Sequence, residues 1–234
     1  MLLLAFETSA KAASVALFDE NKLLGESYQN TGLTHSQTLM VMAEDLIRQC
    51  DHVPGEITHV AVAAGPGSFT GVRIGVAAAK GFAWGKELPC YGVSTLEAMA
   101  LGLGVWEGTI VCAMDARRAQ VYNAIFEAKN GELTRIREDR AISLAELGEE
   151  LKSLSGPIYL VGDGAALCHR TLTELPLILP PEWKQHQRAV GVGLAAQAAI
   201  ARGESGDGAA LNPNYLRLSQ AERERLEREN KGEK

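Results

Sequence analysis

The sequence predicts a duplicated α/β protein of two lobes, each a mixed sheet flanked by helices. Three observations carry that reading. The element order β-β-β-α-β-α can be read twice along the 234 residues. Ala16-Leu-Phe-Asp19 returns 108 positions later as Ala124-Ile-Phe-Glu127, and Glu7 and Asp115, each closing the first strand of its half, stand at the same interval. The composition, 46% hydrophobic and 22% charged, suits a folded chain, and no stretch nears the roughly 18 uninterrupted apolar residues of a spanning helix.

In the first half, Leu2 to Phe6 and Ala12 to Phe18 are apolar runs parted by a polar turn, and Asp19-Glu-Asn-Lys22 leads into Leu23 to Tyr28. Three antiparallel strands follow. Thr34-His-Ser-Gln37 has the spacing of a capping box, in which the Thr hydroxyl and the Gln amide satisfy the first free NH groups of a helix. Leu39, Met42, Ala43, Leu46, Ile47 and Cys50 then recur at helical spacing, so this helix is expected to end near Cys50. His59 to Ala64 reads as a buried strand and Gly65 to Gly71 as a glycine loop. Gly71 to Trp84 reads as a helix, Pro89 to Val93 as a strand and Ser94 to Leu103 as a helix.

In the second half, Thr109 to Met114 and Gln120 to Ala128 read as strands, and a turn at Asn130-Gly131 leads into Leu133 to Arg137. Helices are expected over Leu144 to Leu154, Ala165 to Leu175 and Ala189 to Arg202, with a strand at Ile158 to Val161. The expected division is a lobe over 1–105, a second over 106–218 and a charged tail over 219–234. Ten of the sixteen tail residues are charged and Leu226 is its one large apolar side chain, a composition suited to disorder or a frayed helix. Two such lobes facing a cleft are the architecture of the actin and hexokinase superfamily, the ASKHA or ribonuclease H-like fold.

Charge narrows the function. The chain has 23 Lys and Arg against 29 Asp and Glu, a formal charge of −6, and the tail is balanced, so the body alone is acidic. Affinity for phosphates comes from Lys and Arg releasing counterions, so any RNA role would need a basic partner. Cys50, Cys90, Cys112 and Cys168 form no C-x-x-C and read as free buried thiols. With an apolar start, Met1 to Phe6, that lacks a basic leader, the expectation is a reduced cytoplasm and no membrane contact.

Gly65-Pro-Gly-Ser-Phe-Thr-Gly71 lies between a strand and a helix, so Gly65, Gly67, Ser68 and Gly71 could turn backbone NH groups toward an anion or nucleotide. No Gly-Lys-Ser/Thr closes the loop, and its glycine spacing misses the dinucleotide pattern by one. Pro66 stands where a nucleophile elbow needs glycine. The alternative is packing: the loop glycines allow close backbone approach, and Gly71, Gly75, Ala78 and Ala79 form a small-residue strip on the helix.

The opening Leu-Ala-Phe-Glu-Thr-Ser, the Thr34-His-Ser-Gln helix start, Gly-Pro-Gly-Ser-Phe-Thr-Gly-Val-Arg-Ile-Gly75 and Asn212-Pro-Asn-Tyr-Leu-Arg217 together resemble the bacterial TsaB (YeaZ) family. The resemblance spans nearly the whole chain. It implies the duplicated fold of the related ligase TsaD (Gcp) and a role in making threonylcarbamoyladenosine, the modified base beside the anticodon of tRNAs that read codons starting with A. In that family TsaD transfers the threonylcarbamoyl group from its adenylate to N6 of adenosine, with TsaB as an indispensable partner and the ATPase TsaE as third member. TsaD supplies two metal-binding histidines from Val-Asn-His-Leu-Glu-Gly-His. Here the matching stretch is Val93-Ser-Thr-Leu-Glu-Ala-Met99, so Thr95 and Met99 stand in place of the imidazoles. A hydroxyl and a thioether bind iron or zinc poorly, and no intrinsic metal or cofactor is expected.

Glu7 and Asp115 are the candidate cleft acids, though neither is followed by the glycines with which the superfamily's loops embrace ATP. The resemblance therefore implies a non-catalytic subunit, with ATP or ADP only at the interface of a complex and tRNA contacted only indirectly. The rivals are a small-molecule kinase or ATPase of the actin-like superfamily and a metallopeptidase-like hydrolase. The expected partner surface comprises His35, Leu39, Met40, Met42 and Leu46 on the first long helix and Gly71, Gly75 and Ala78 on the second. These would mediate a homodimer or, in its place, pairing with TsaD. The competing account is that the fold itself covers both faces of the first helix.

Overall fold

A computed structural model describes residues 1–104 and 107–217. Each half begins with a hairpin of strands too apolar to face water on either side. β1 (Leu2–Glu7) pairs antiparallel with β2 (Ala13–Asp19), and β3 (Lys22–Gln29) extends the hairpin at the edge. After α1 (His35–Gln49) and a 3-10 turn over Pro54–Glu56, β4 (His59–Gly65) lies parallel to β1. α2 (Phe69–Trp84), β5 (Cys90–Ser94) and α3 (Thr95–Leu103) complete the first half, with the sheet ordered β3-β2-β1-β4-β5.

The second half runs β6 (Gly108–Arg117), β7 (Gln120–Lys129), β8 (Glu132–Ser143), α4 (Leu144–Leu151), β9 (Ile158–Val161), α5 (Ala165–Thr171) and β10 (Leu177–Ile178). α6 (Glu182–Gln185) and α7 (Ala189–Ala201) follow. Its sheet, β8-β7-β6-β9-β10, repeats the first in order and in every strand sense. The fold is a duplicated, actin-like pair of mixed sheets.

Helices cover both faces of each sheet, but not always the sheet nearest in sequence. α1 and α2 cover the face of the first sheet that carries Leu4, Phe6, Val15 and Leu17, while α7 covers the other face, with Leu3, Ala5, Ala16 and Phe18. α4 and α5 cover Val111, Ala113 and Ile125, while α3 packs on Ile110, Cys112, Met114 and Phe126. α3 and α7 meet between the sheets. A Cβ at Gly191 would collide with the Ala98 carbonyl, and one at Gly193 with the Phe18 ring, so glycine alone permits this approach. The chain then returns along the first sheet, where the Cys90 NH donates to the Gly206 carbonyl (3.1 Å) and the Asn214 NH to the Ala64 carbonyl (2.6 Å).

Register corrects the residue-level repeat. Ala5 lies opposite Ala16, and Cys112 opposite Ala124, so β2 and β7 correspond at an interval of 108 but β1 and β6 at 107. Side chains alternate along a strand, and a one-residue offset reverses the face. Glu7 thus corresponds to Met114, and Asp115 belongs to the opposite face of β6.

Other elements differ in detail. The Thr34–Gln37 capping box does not form: Thr34 makes no side-chain cap, and the Gln37 NH bonds to its carbonyl (2.9 Å). A capping box closes instead at Ser143–Glu146. β8 extends to Ser143, α4 and α5 end at Leu151 and Thr171, and β10, α6 and the 3-10 turn are additional. The four cysteines are free thiols, and burial pushes Cys90 up to about 11 and Cys168 up to about 12. Among the described residues no helix is long and apolar enough to cross a membrane. The tail expected over 219–234 lies outside the described residues.

Candidate cleft and partner surface

Glu7 ends β1 in full burial, and that burial lifts its carboxyl to about 7. The Ser9 NH, donating to Oε1 at 2.5 Å, opposes the rise, and the nearby Asp163 charge adds to it. Oε2 has no hydrogen-bond partner. Asp163, in the turn between β9 and α5, is also raised, chiefly by burial and further by the Asp115 charge, while the Asp115 NH, donating to it at 3.3 Å, opposes the rise. Gln187, only 1% exposed, neighbours Asp163 and opposes its rise. The acid beside Glu7 is therefore Asp163, half-buried where Glu7 is fully buried. Asp115 sits at the margin, accepting the Arg117 NH (2.7 Å) with the guanidinium at 3.6 Å. The sequence signal for Asp163 was its place between Gly162 and Gly164 just after a strand, the counterpart of the first-half glycine loop.

The first-half glycine loop is filled by the protein's own backbone. A Cβ at Gly65 would strike the Asn214 carbonyl, one at Gly67 would come within 2.5 Å of the Ser9 carbonyl, and one at Gly71 would strike the Thr8 carbonyl. The Ser68 NH donates to the Ser9 carbonyl (2.6 Å), and the Ser68 hydroxyl accepts the Gly71 NH (3.2 Å) as the N-cap of α2. Close packing accounts for Gly65, Gly67 and Gly71, and these two NH groups are already bonded within the chain.

Ser94 caps α3 by accepting the Glu97 NH (3.2 Å), and this sets Thr95 and Met99 one turn apart on a buried face. Thr95 is fully buried with its hydroxyl unpartnered, and Met99 is 5% exposed. The Met99 sulfur lies 3.1 Å from where a Gly162 Cβ would be, so the thioether fills the joint beside Asp163. Among the described residues no three His, Cys, Asp or Glu side chains are grouped to hold a metal.

Burial corrects the expected partner surface. Leu39, Met42 and Leu46 are 1–5% exposed because α1 lays them on the first sheet. Gly71 and Gly75 lie under Thr8, and Ala78 packs partly against the same core. Partly buried His35 bonds through Nε2 to the Ala10 carbonyl (2.8 Å), tying the start of α1 to the β1–β2 turn. Of the expected set, Met40 remains on the open face at 43% exposure, next to Val41 at 57%. Trp84, 78% exposed at the end of α2, is an apolar side chain missing from that set.

Residues 29–224 match the family described as TsaD: tRNA N6-adenosine threonylcarbamoyltransferase. The chain is 33% identical over 231 residues to the tRNA threonylcarbamoyladenosine biosynthesis protein TsaB of Bacillus subtilis, covering 97% of this chain and 99% of that one. YeaZ from Pseudomonas aeruginosa superposes with a TM-score of 0.74 at 25% identity, over 92% of this chain and 99% of its own. Component A of (R)-2-hydroxyglutaryl-CoA dehydratase from Acidaminococcus fermentans shares the fold alone, with a TM-score of 0.51 at 12% identity over 86% of this chain and 99% of that one. The chain belongs to the TsaB (YeaZ) family of tRNA threonylcarbamoyladenosine biosynthesis proteins.

Proposed function

We propose that this chain is a non-catalytic partner subunit. It docks on a TsaD transferase and, with the ATPase TsaE, permits transfer of the threonylcarbamoyl group to N6 of the adenosine beside the anticodon. The observation that carries the reading is the substitution on α3: where TsaD has its two histidines, this chain has a buried threonine and a methionine wedged against Gly162. Neither side chain offers the nitrogen or carboxylate donor that a catalytic iron or zinc needs. The glycine loop, filled by Ser9, Thr8 and Asn214, favours this reading over a kinase or ATPase, and any ATP or ADP would bind only where subunits meet.

Docking would use the outer face of α1, with Met40 and Val41, and the exposed Trp84 of α2, since large apolar side chains open to water favour a partner. The same face would join two copies when TsaD is absent. A partner that binds the active conformation of TsaD more tightly shifts the enzyme toward it by no more than the difference in affinity. The test is depletion of the protein followed by mass spectrometry of tRNA. The modified base is expected to disappear and to return with a Glu7→Gln variant, whereas normal levels after depletion would overturn the reading.

A further inference from the structure

Among the described residues most arginines are paired with carboxylates of the same chain. Arg48 pairs with Asp45, Arg135 with Glu97 and Asp139, Arg137 and Arg140 with Glu150, Arg188 with Glu26 and Arg202 with Glu204. Arg73 and Arg217 have no such partner among the described residues, and the two are linked. Arg73 is exposed near the start of α2, donates from Nε to the Tyr215 hydroxyl (2.8 Å) and lies 3.8 Å from the centre of the Phe69 ring. The Phe69 and Tyr215 rings stack at 4.6 Å. Two residues on, Arg217 donates from Nη1 to the Ala116 carbonyl (2.5 Å), which carries the chain across to the β6–β7 turn.

There Arg117, the last residue of β6, and Arg118 in the turn are exposed and held in the left-handed region, with φ of 66° and 55°, and Ala119 follows at 54°. Left-handed backbone costs a non-glycine residue on the order of 1 kcal/mol, and strain of this kind persists where the surroundings fix it, often at functional sites. The result is a ridge from α2 to the β6–β7 turn that carries four guanidinium groups and two stacked rings. Asp115, 3.6 Å from Arg117, brings a carboxylate to the ridge.

A single carboxylate of a protein partner would engage one fork of this ridge. A chain of phosphates interleaved with flat bases matches its whole length: arginines neutralise phosphates, and aromatic rings and guanidinium groups are the surfaces on which bases stack. We propose that this ridge directly contacts a single-stranded stretch of RNA, with phosphates on Arg217 and Arg117 and a base against the cluster of Arg73, Phe69 and Tyr215. This rests on the partner role proposed above and goes beyond the indirect contact that the acidic composition suggests. A body of net charge −6 attracts RNA weakly by itself, so the ridge acts once a more basic subunit has brought the strand close.

The test reconstitutes the full chain with TsaD and TsaE and measures tRNA affinity across a salt series, with complex size measured on the same samples. Arg73→Ala with Arg217→Ala is expected to weaken binding about tenfold and to flatten the salt dependence by about 0.7 log units for each phosphate that is no longer neutralised, with assembly unchanged. Arg73→Lys should keep the salt slope yet lose affinity, and Arg202→Ala should change neither. Unchanged affinity and slope in the double variant would overturn the RNA contact. Failure of that variant to assemble would assign the arginines to a protein partner, overturning the RNA contact while the subunit role stands. A wild-type chain that never joins the complex would remove the subunit role itself.

Discussion

Glu7 is an acid whose charge is set more by burial than by any neighbour, and its stability effect follows from the sign of its shift. Below about pH 4.5 the carboxyl is protonated in both folded and unfolded chains and costs nothing. As pH rises from 4.5 toward 7 the unfolded chain releases its proton first, so stability falls; above 7 both forms are ionised and the destabilisation levels off at about 3 kcal/mol. Glu7→Gln keeps an acceptor for the Ser9 NH and carries no charge. Its melting temperature should match wild type near pH 4 and exceed it increasingly toward pH 8, whereas a constant gap across that range would show that burial of the charge is not the cause. Gly71→Ala would press a methyl onto the Thr8 carbonyl and should destabilise by about 1–3 kcal/mol in denaturant melts. The sequence marked Glu7 as a cleft acid but paired it with Asp115, because a recurring four-residue string carries no information about the one-residue change of register between two hairpins. Asp163 stands far from both in sequence and comes beside Glu7 only when the two sheets face each other.

At the scale of the element, α1 separates core from surface within single steps of the chain. Its buried stripe was legible because Leu39, Met42, Leu46 and Ile47 recur at the helical period and the first sheet needs a cover. Its cap was not, since Thr34 and Gln37 are exposed to water while His35 anchors the helix start through the Ala10 carbonyl. Two pairs of variants should therefore behave differently. Leu39→Asp or Met42→Asp places a charge against the first sheet and should cost about 3–5 kcal/mol, leaving little folded protein. Met40→Asp or Val41→Asp should stay within about 0.5 kcal/mol of wild type in thermal melts and yet prevent association with TsaD or with a second copy. Association that survives both exposed substitutions, measured by light scattering, would remove the outer face of α1 from the interface.

For the whole molecule, the duplicated order of elements was readable from periodicity and turn residues, but the exchange of helices was not. Periodicity tells how much of a helix is buried and not which sheet buries it. α7 follows the second half in sequence and belongs to the first sheet in space, while α3 ends the first half and covers the second. The expected boundary near residue 105 separates the strands of the two sheets, yet the helix that covers Leu3, Ala5, Ala16 and Phe18 lies beyond it. A fragment of residues 1–104 should therefore expose that apolar face, bind a hydrophobic dye and give poorly dispersed amide resonances. Coexpression with residues 105–234 should restore a folded, two-chain protein with α7 in place, and Gly191→Val, which drives a branched side chain into the Ala98 carbonyl, should prevent that rescue. A fragment of 1–104 that folds cooperatively alone would show that the seam between α3 and α7 joins two independent lobes instead of completing each with a helix from the other half.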